Sequence, residues 1–423
     1  MAFPQLARYP VLGPSLWSFE KLPDGTKIEP MPLLAEDGGE SHGTLFTRGG
    51  ERCVAMFMHP RGDMQRHYAM PRLLEAGIAT FGQAGRFINN DVSLIHERLI
   101  LDVAASIRRL RERGFQKVVL VGNSGGGALF SFYQSQAATA APGRLEDTAA
   151  GDPCDLNKLD MPQADGLVQL ATHLGQGKLM LGIIDPSVAD ENDPLSLDPE
   201  LDMYDPRNGY RPLPEPSKYS GEFLTRYAAA QGARVARIDA IARGHVAEWN
   251  HWLRILGAKD VESLPPAEIQ RIERRAFVGR YLAIHRTEAA PAYTDPSLYP
   301  SERAIGSFFS PRPDVFNYLE AGFGKYQTPR AWLSTWSGHA SRASTLDCLP
   351  KVNLPTLVVA YLGDNAVFSN QTDAIFERSP AKDKRIARVS GDHLGYGPGG
   401  MKDRSGQNAA LDVIVPWVQE RFA

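Results

Sequence analysis

The sequence predicts an α/β protein: a mostly parallel central sheet with helices on both faces, and a large, mainly helical segment inserted late in the chain. Three observations carry this. Short, continuous, apolar runs such as residues 53–58 and 117–121 read as strands buried on both faces. Helical patterns separate these runs, so strand and helix alternate. The alternation breaks between His173 and Asn353, where helix dominates and no clear strand is visible, and then resumes.

Residues 1–26 are irregular and Pro- and aromatic-containing, and are expected to form an arm on the body. Short strands follow over 27–34, 41–47 and 52–58, punctuated by Asp37-Gly38-Gly39 and Gly49-Gly50 as hairpin turns would be. A helix is expected over 64–76, stopped by Gly77, and a strand over 78–81. A long helix over 91–113 carries Leu94, Leu99, Val103, Ile107 and Leu110 at helical spacing, with Asp91 as its N-cap. The run 117–122 is a strand that ends in a sharp turn at Ser124, and a helix opens at Ala128. A further strand covers 165–171. Within the insertion, helices are expected over 220–256 and 265–287. The pattern resumes with a strand over 354–361, a helix over 371–377, a strand over 385–389 and a helix over 408–422. The expected domains are 1–171 with 346–423 as the core, and 172–345 as an inserted cap; the core is of ordinary size for one domain.

Bulk properties exclude several classes. Among 423 residues the net charge is −3, which argues against a nucleic-acid binder. Three scattered cysteines offer neither metal spacing nor a disulfide framework, and point to a reducing compartment. The first residues lack an apolar h-region, and no run approaches the ~20 apolar residues of a membrane span. The expectation is a cytoplasmic protein without a membrane span. The ten histidines show no His-x-His or His-Glu-x-x-His pattern, so neither metal nor other cofactor is expected.

The chemistry sits at strand ends. Gly122-Asn123-Ser124-Gly125-Gly126 is Gly-x-Ser-x-Gly in strand–turn–helix context, which exposes a serine on a strained turn. A phosphate loop fits poorly, because there is no Gly-Lys-Ser/Thr ending and no Gly-x-Gly-x-x-Gly. Serine needs a base, and the base needs an orienting acid. Asp364 follows the strand over 354–361, and His393 follows the strand over 385–389. Asp392 competes with Asp364, but a neighbour in sequence is badly placed to orient the His393 ring.

With Gly363-Asp364-Asn365, Gly391-Asp392-His393 and the upstream His59-Pro60-Arg61-Gly62, the chain resembles the α/β-hydrolase superfamily over about residues 30–171 and 350–423. The resemblance implies Ser124 as nucleophile, His393 as base and Asp364 as orienting acid. It also implies the Gly125 N–H as one oxyanion donor and a second from the loop after the third strand. Pro60 has no N–H there, so Arg61 is the expected second donor, with Gly62 next. His59, Gly62, Asn123, His173 and Trp336 are expected near the substrate, with His59 mainly bracing its loop. His67, His96 and His339 are further cleft candidates, each more readily read as an ordinary core or surface histidine.

An insertion after the strand at Leu167 is where that superfamily commonly carries a cap. Its aromatics (Trp249, Trp252, Tyr281, Phe308, Phe309, Tyr318, Phe323, Trp332, Trp336) would form its own core and part of an apolar pocket for a small-molecule substrate. An exposed apolar cap face would suit a homodimer. Arg61, Arg86 and Arg342 would serve a carboxylate on the substrate. The leading expectation is a serine hydrolase of carboxylic esters. The same triad serves a C–C hydrolase of ring-cleavage diketones, or a thioesterase, lactonase or amidase. A small-molecule receptor on the same fold is the non-enzyme alternative.

Overall fold

The computed structural model describes Phe19 and residues 21–423. The expected N-terminal arm therefore lies almost wholly outside the described residues. Eight strands form the main sheet: β1 (Lys27–Leu34), β2 (Glu40–Thr47), β3 (Cys53–Phe57), β4 (Ala79–Ala84), β5 (Lys117–Asn123), β6 (Gly166–Leu170), β9 (Thr356–Tyr361) and β10 (Lys384–Val389). Their order is β1-β2-β4-β3-β5-β6-β9-β10. The pairs β1/β2 and β2/β4 are antiparallel, and every other pair is parallel. The sheet is mostly parallel, as expected.

The pleat explains why the apolar runs are continuous. Along β5, Val118 and Leu120 join one core with residues of α2 (His96–Glu112) and α3 (Gly125–Ala137), including Leu99, Val103, Leu129 and Phe130. Val119 and Val121 join the core on the other face with Leu73 and Leu74 of α1 (Met70–Glu75) and Ile414 and Trp417 of α11 (Ser405–Phe422). Successive side chains point to opposite faces, so a strand covered on both sides needs every position apolar. Fully burying each such side chain contributes about 1.5–3 kcal/mol.

Several element boundaries differ from expectation. The helix over 64–76 is only α1, because Pro71 lacks an N–H and is tolerated only in a first turn. Residues 91–93 form a separate 3₁₀ turn, and Asp91 does not cap α2: the cap position is Ile95, and the Asp91 carboxylate pairs with Arg61 instead. The expected helix over 265–287 is α6 (Pro266–Phe277); past Gly279 the chain extends into β7 (Leu282–Ala283), which pairs antiparallel with β8 (Tyr326–Gln327). The segment read as strand-free thus holds one two-residue pairing. Between β6 and β9 it otherwise carries α4 (Gln176–Ile183), the 36-residue α5 (Gly221–Leu256) and three short helical turns, α7 (Pro313–Phe316), α8 (Pro329–Ala331) and α9 (Thr345–Cys348). Met180, Val235, Ile238, Trp332 and Trp336 of this segment meet in a further apolar cluster, which Ala149 and Phe368 from outside the segment join. The helix α10 (Ser369–Arg378) completes the fold between β9 and β10.

Candidate active site

The carboxyl ends of β3, β5, β6, β9 and β10 converge at Ser124. The serine has φ 53° and ψ −122°, a left-handed φ that costs energy in any residue with a Cβ. Gly122 makes the turn possible, since a Cβ there would lie 2.4 Å from the Gly127 backbone at the start of α3. Gly126 serves another contact: a Cβ there would lie 2.4 Å from the Met58 carbonyl just past β3, so the glycine lets the helix approach the neighbouring strand.

Three side chains meet in one line. His393 Nε2 is 2.9 Å from Ser124 Oγ, and His393 Nδ1 is 2.7 Å from Asp364 Oδ2. Asp364 is itself held, because its Oδ1 accepts the N–H groups of Ala366 at 2.7 Å and Val367 at 2.8 Å. All three residues are buried, with Ser124 only 8% exposed. Burial alone would push the His393 ring below its ordinary pKa, but the charge and hydrogen bond of Asp364 outweigh it, and the net direction is up. Asp392 takes no part in orienting the ring, since its Oδ1 accepts the N–H groups of Leu394 and Tyr396, both at 2.9 Å.

A strained serine elbow after β5, an acid after β9 and a histidine after β10, on this strand order, decide the architecture. The fold is that of the α/β-hydrolases.

No family model and no curated protein matches the chain. Among solved structures, the chain is similar to DcsB in complex with its substrate analogue (12% identity, TM-score 0.47, 94% of this chain and 99% of that one). It is similar to the esterase domain of a Rhodothermus marinus protein (10% identity, TM-score 0.43, 94% and 100%) and to proline iminopeptidase of Mycobacterium smegmatis (11% identity, TM-score 0.42, 93% and 98%). Likenesses this distant concern the course of the chain and nothing of its chemistry.

Within this α/β-hydrolase fold the loop after β3 departs from the expected arrangement. The N–H groups of Arg61 and Gly62 both donate to His59 Nδ1, at 3.0 and 2.9 Å. The expectation that Arg61 or Gly62 is the second oxyanion donor therefore does not hold: their N–H groups already cap a ring. His59 does brace its loop, and burial first, then the Arg61 charge, holds it neutral well below its ordinary pKa. Asn123 also departs from expectation. Its side chain is buried between His67 Nε2 at 3.1 Å and the Leu170 carbonyl at 3.2 Å, so it ties β5 to β6 and faces no substrate. His67 is thus a satisfied core residue. His96 is buried against the Ser334 carbonyl at 3.3 Å, and His339 lies away on the insertion against the Gly232 carbonyl at 2.9 Å.

His173 does reach the site, as does one residue that sequence reading missed. A Cβ built on Gly125 would lie 2.5 Å from Gln176 Nε2, 3.0 Å from His59 Nε2 and 3.2 Å from His173 Nε2. Gln176 opens α4 three residues after His173, and no motif marks it. The insertion supplies a wall of rings. Phe308 stands edge-on to the His393 ring at 5.2 Å, Phe309 and Phe323 pack at 4.7 Å, and Phe323 and Trp336 at 6.3 Å. The Arg61 guanidinium lies 5.1 Å from the Trp336 ring centre and pairs with Asp91. Trp332 instead bonds Asp239 in the insertion core, and Tyr281 and Tyr318 are exposed. The three arginines proposed to meet a substrate carboxylate already have anions: Arg61 has Asp91, Arg86 has Asp37 and Asp102, and Arg342 has Asp147. Among the described residues no cluster of three or more metal-ligating side chains occurs.

Proposed function

We propose that the protein is a serine hydrolase that cleaves carboxylic esters of uncharged, moderately sized molecules with an aromatic or otherwise apolar part. The observation that carries the reading is the Ser124–His393–Asp364 line, with hydrogen bonds of 2.9 and 2.7 Å. Ser124 Oγ adds to the ester carbonyl carbon while its proton passes to His393 Nε2. Asp364 holds the Nδ1–H tautomer and stabilises the imidazolium. As the tetrahedral adduct collapses, the C–O bond to the alcohol breaks and His393 returns the proton to the leaving oxygen. Water then adds to the acyl-enzyme by the same route and releases the acid and free Ser124. The Gly125 N–H, first in α3 and at the positive end of that helix, supports the charge on the carbonyl oxygen.

The substrate class follows from the wall. Phe308, partly exposed and edge-on to His393, offers apolar surface with the partly exposed Phe309 and Phe323 beside it, whereas Trp336, expected near the substrate, is fully buried behind Phe323; the paired state of Arg61, Arg86 and Arg342 weighs against a substrate carboxylate. This argues against the C–C hydrolase alternative, which needs cations to hold a dienol carboxylate. In this reading residues 172–345 act as the cap that excludes water from a site already closed to bulk solvent.

The test is hydrolysis of p-nitrophenyl esters of increasing acyl length by the wild type and by Ser124→Ala. Turnover abolished in the variant, together with fluorophosphonate labelling of Ser124 alone, supports the reading. A folded wild type that neither hydrolyses any ester nor takes the label overturns it.

A further inference from the structure

We propose that His173, rather than the backbone of the loop after β3, supplies the second hydrogen bond to the oxyanion. This rests on the serine-hydrolase reading above. An oxyanion hole needs two donors aimed at one oxygen, of which the Gly125 N–H is one. The expected donors of the loop after β3 are engaged elsewhere: Pro60 lacks an N–H, and those of Arg61 and Gly62 are turned into the His59 ring at 3.0 and 2.9 Å.

His173 meets the requirement on five counts. Its Nδ1 accepts the Gly175 N–H at 2.9 Å, so the ring proton sits on Nε2. Nε2 lies 3.2 Å from the Cβ position of Gly125. A Cβ position is about 2.5 Å from its own residue's nitrogen, so the two donor nitrogens lie within about 6 Å, a span one oxygen bridges with two ~3 Å hydrogen bonds. The backbone that carries the ring is fixed: the Thr345 hydroxyl donates to the His173 carbonyl at 2.9 Å, and the Thr345 N–H to the Leu174 carbonyl at 3.0 Å. The turn that presents it starts at Ala171, a non-glycine residue with φ 46° at the end of β6, which places backbone strain beside the site. Desolvation holds His173 neutral down to about pH 3. A neutral donor suits the step, because His393 becomes a cation as Ser124 adds, and a second cation beside it would oppose that charge. The Nε2–H stays on His173 throughout; it only hydrogen-bonds the oxygen as the carbonyl π pair moves onto it.

Two groups compete, since each also borders Gly125: the Gln176 amide, and His59, whose Nδ1 accepts the Arg61 and Gly62 N–H groups and which therefore carries its proton on Nε2, 3.0 Å from the same Cβ position. The experiment compares His173→Phe, His173→Gln, Gln176→Leu and His59→Phe with the wild type, reading kcat and KM for the best p-nitrophenyl ester. Retention of the low-field Nδ1 proton resonance of His393 certifies an intact triad in each variant. The expected result is a fall of about 10²-fold in kcat for His173→Phe with KM within about threefold, the signature of a lost transition-state donor. His173→Gln, which restores an N–H, recovers at least tenfold of that loss. A kcat within threefold of wild type for His173→Phe, no recovery in His173→Gln, or a larger kcat loss in Gln176→Leu or His59→Phe with the triad intact overturns the assignment while leaving the hydrolase reading intact. A wild type inert to both ester and fluorophosphonate overturns both.

Discussion

Replacing Asp364 with Asn tests the site at its most constrained point, because the structure dictates which way the amide turns. Asp364 Oδ1 accepts two backbone N–H groups, from Ala366 and Val367, at 2.7 and 2.8 Å. An amide nitrogen there would face two donors in a buried setting, so the Asn oxygen must take that place and its NH₂ must face His393 Nδ1. The ring then accepts at Nδ1 and carries its proton on Nε2, against Ser124 Oγ, where it can no longer act as a base. The expected loss is about 10⁴-fold in kcat, or about 5 kcal/mol, with KM little changed. The pH profile moves as well. In the wild type the base must be neutral, and its pKa is raised, so kcat/KM falls as pH drops through a value above the ordinary histidine value of 6.5. Without the Asp364 charge and hydrogen bond, burial is opposed by the Asp392 charge alone, so the limb of the residual activity shifts to lower pH. Steady-state hydrolysis of a p-nitrophenyl ester between pH 5 and 9, in both proteins, reads both effects. A variant within tenfold of wild-type kcat, or an acidic limb that stays put or rises, would refute the reasoning.

Three further outcomes follow from single contacts. Gly126→Ala places a methyl 2.4 Å from the Met58 carbonyl, so urea unfolding should show a loss of about 1–3 kcal/mol and ester turnover should fall with it. Arg86→Met leaves the fully buried Asp102 without its cation, and the same titration should register a loss of about 3–5 kcal/mol with kcat in the surviving folded fraction unchanged. Phe308→Ala removes the ring edge-on to His393; KM for an aryl ester should rise about tenfold while KM for an acetyl ester of a small alcohol moves far less, and equal changes for both would count against the aromatic wall as a recognition surface.

What the sequence revealed, and what it hid, divides along a physical line. Ser124 and Asp364 were legible because each follows a strand whose apolar run is continuous, and the pleat forces such runs into the interior of a sheet. His393 follows β10, an edge strand with exposed Arg385 and Arg388, and was legible only from its place after the next strand in chain order. A residue just past a central parallel strand must stand at the carboxyl edge, where parallel sheets place ligands. Helix ends were read less well, because the deciding interaction lies far away in sequence: Asp91 looks like an N-cap until Arg61, thirty residues earlier, takes its carboxylate. Side-chain direction was hidden altogether. Asn123, beside Ser124 in sequence, turns into the core to meet His67 and β6, whereas Gln176, with no motif to mark it, turns toward Gly125.

The loop after β3 shows why this matters for chemistry. Its sequence predicts a backbone donor at Arg61 by elimination of Pro60, and the elimination is sound as far as it goes. A histidine two residues before Arg61 defeats it, because His59 Nδ1 can draw in both following N–H groups, at 3.0 and 2.9 Å. Those two bonds satisfy the loop and fix the tautomer of His59, and they also withdraw the loop's backbone donors from the reacting oxygen. Stability of the loop and backbone oxyanion binding therefore compete for the same N–H groups. On the proposed hydrolase reading, a side-chain N–H beside Gly125 takes the place of those two donors. The Nε2–H groups of His59 and His173 both have the tautomer and the placement for it, and His173, carried on a strained turn at the neighbouring strand end, is the one proposed; the paired His173 and His59 variants decide between them.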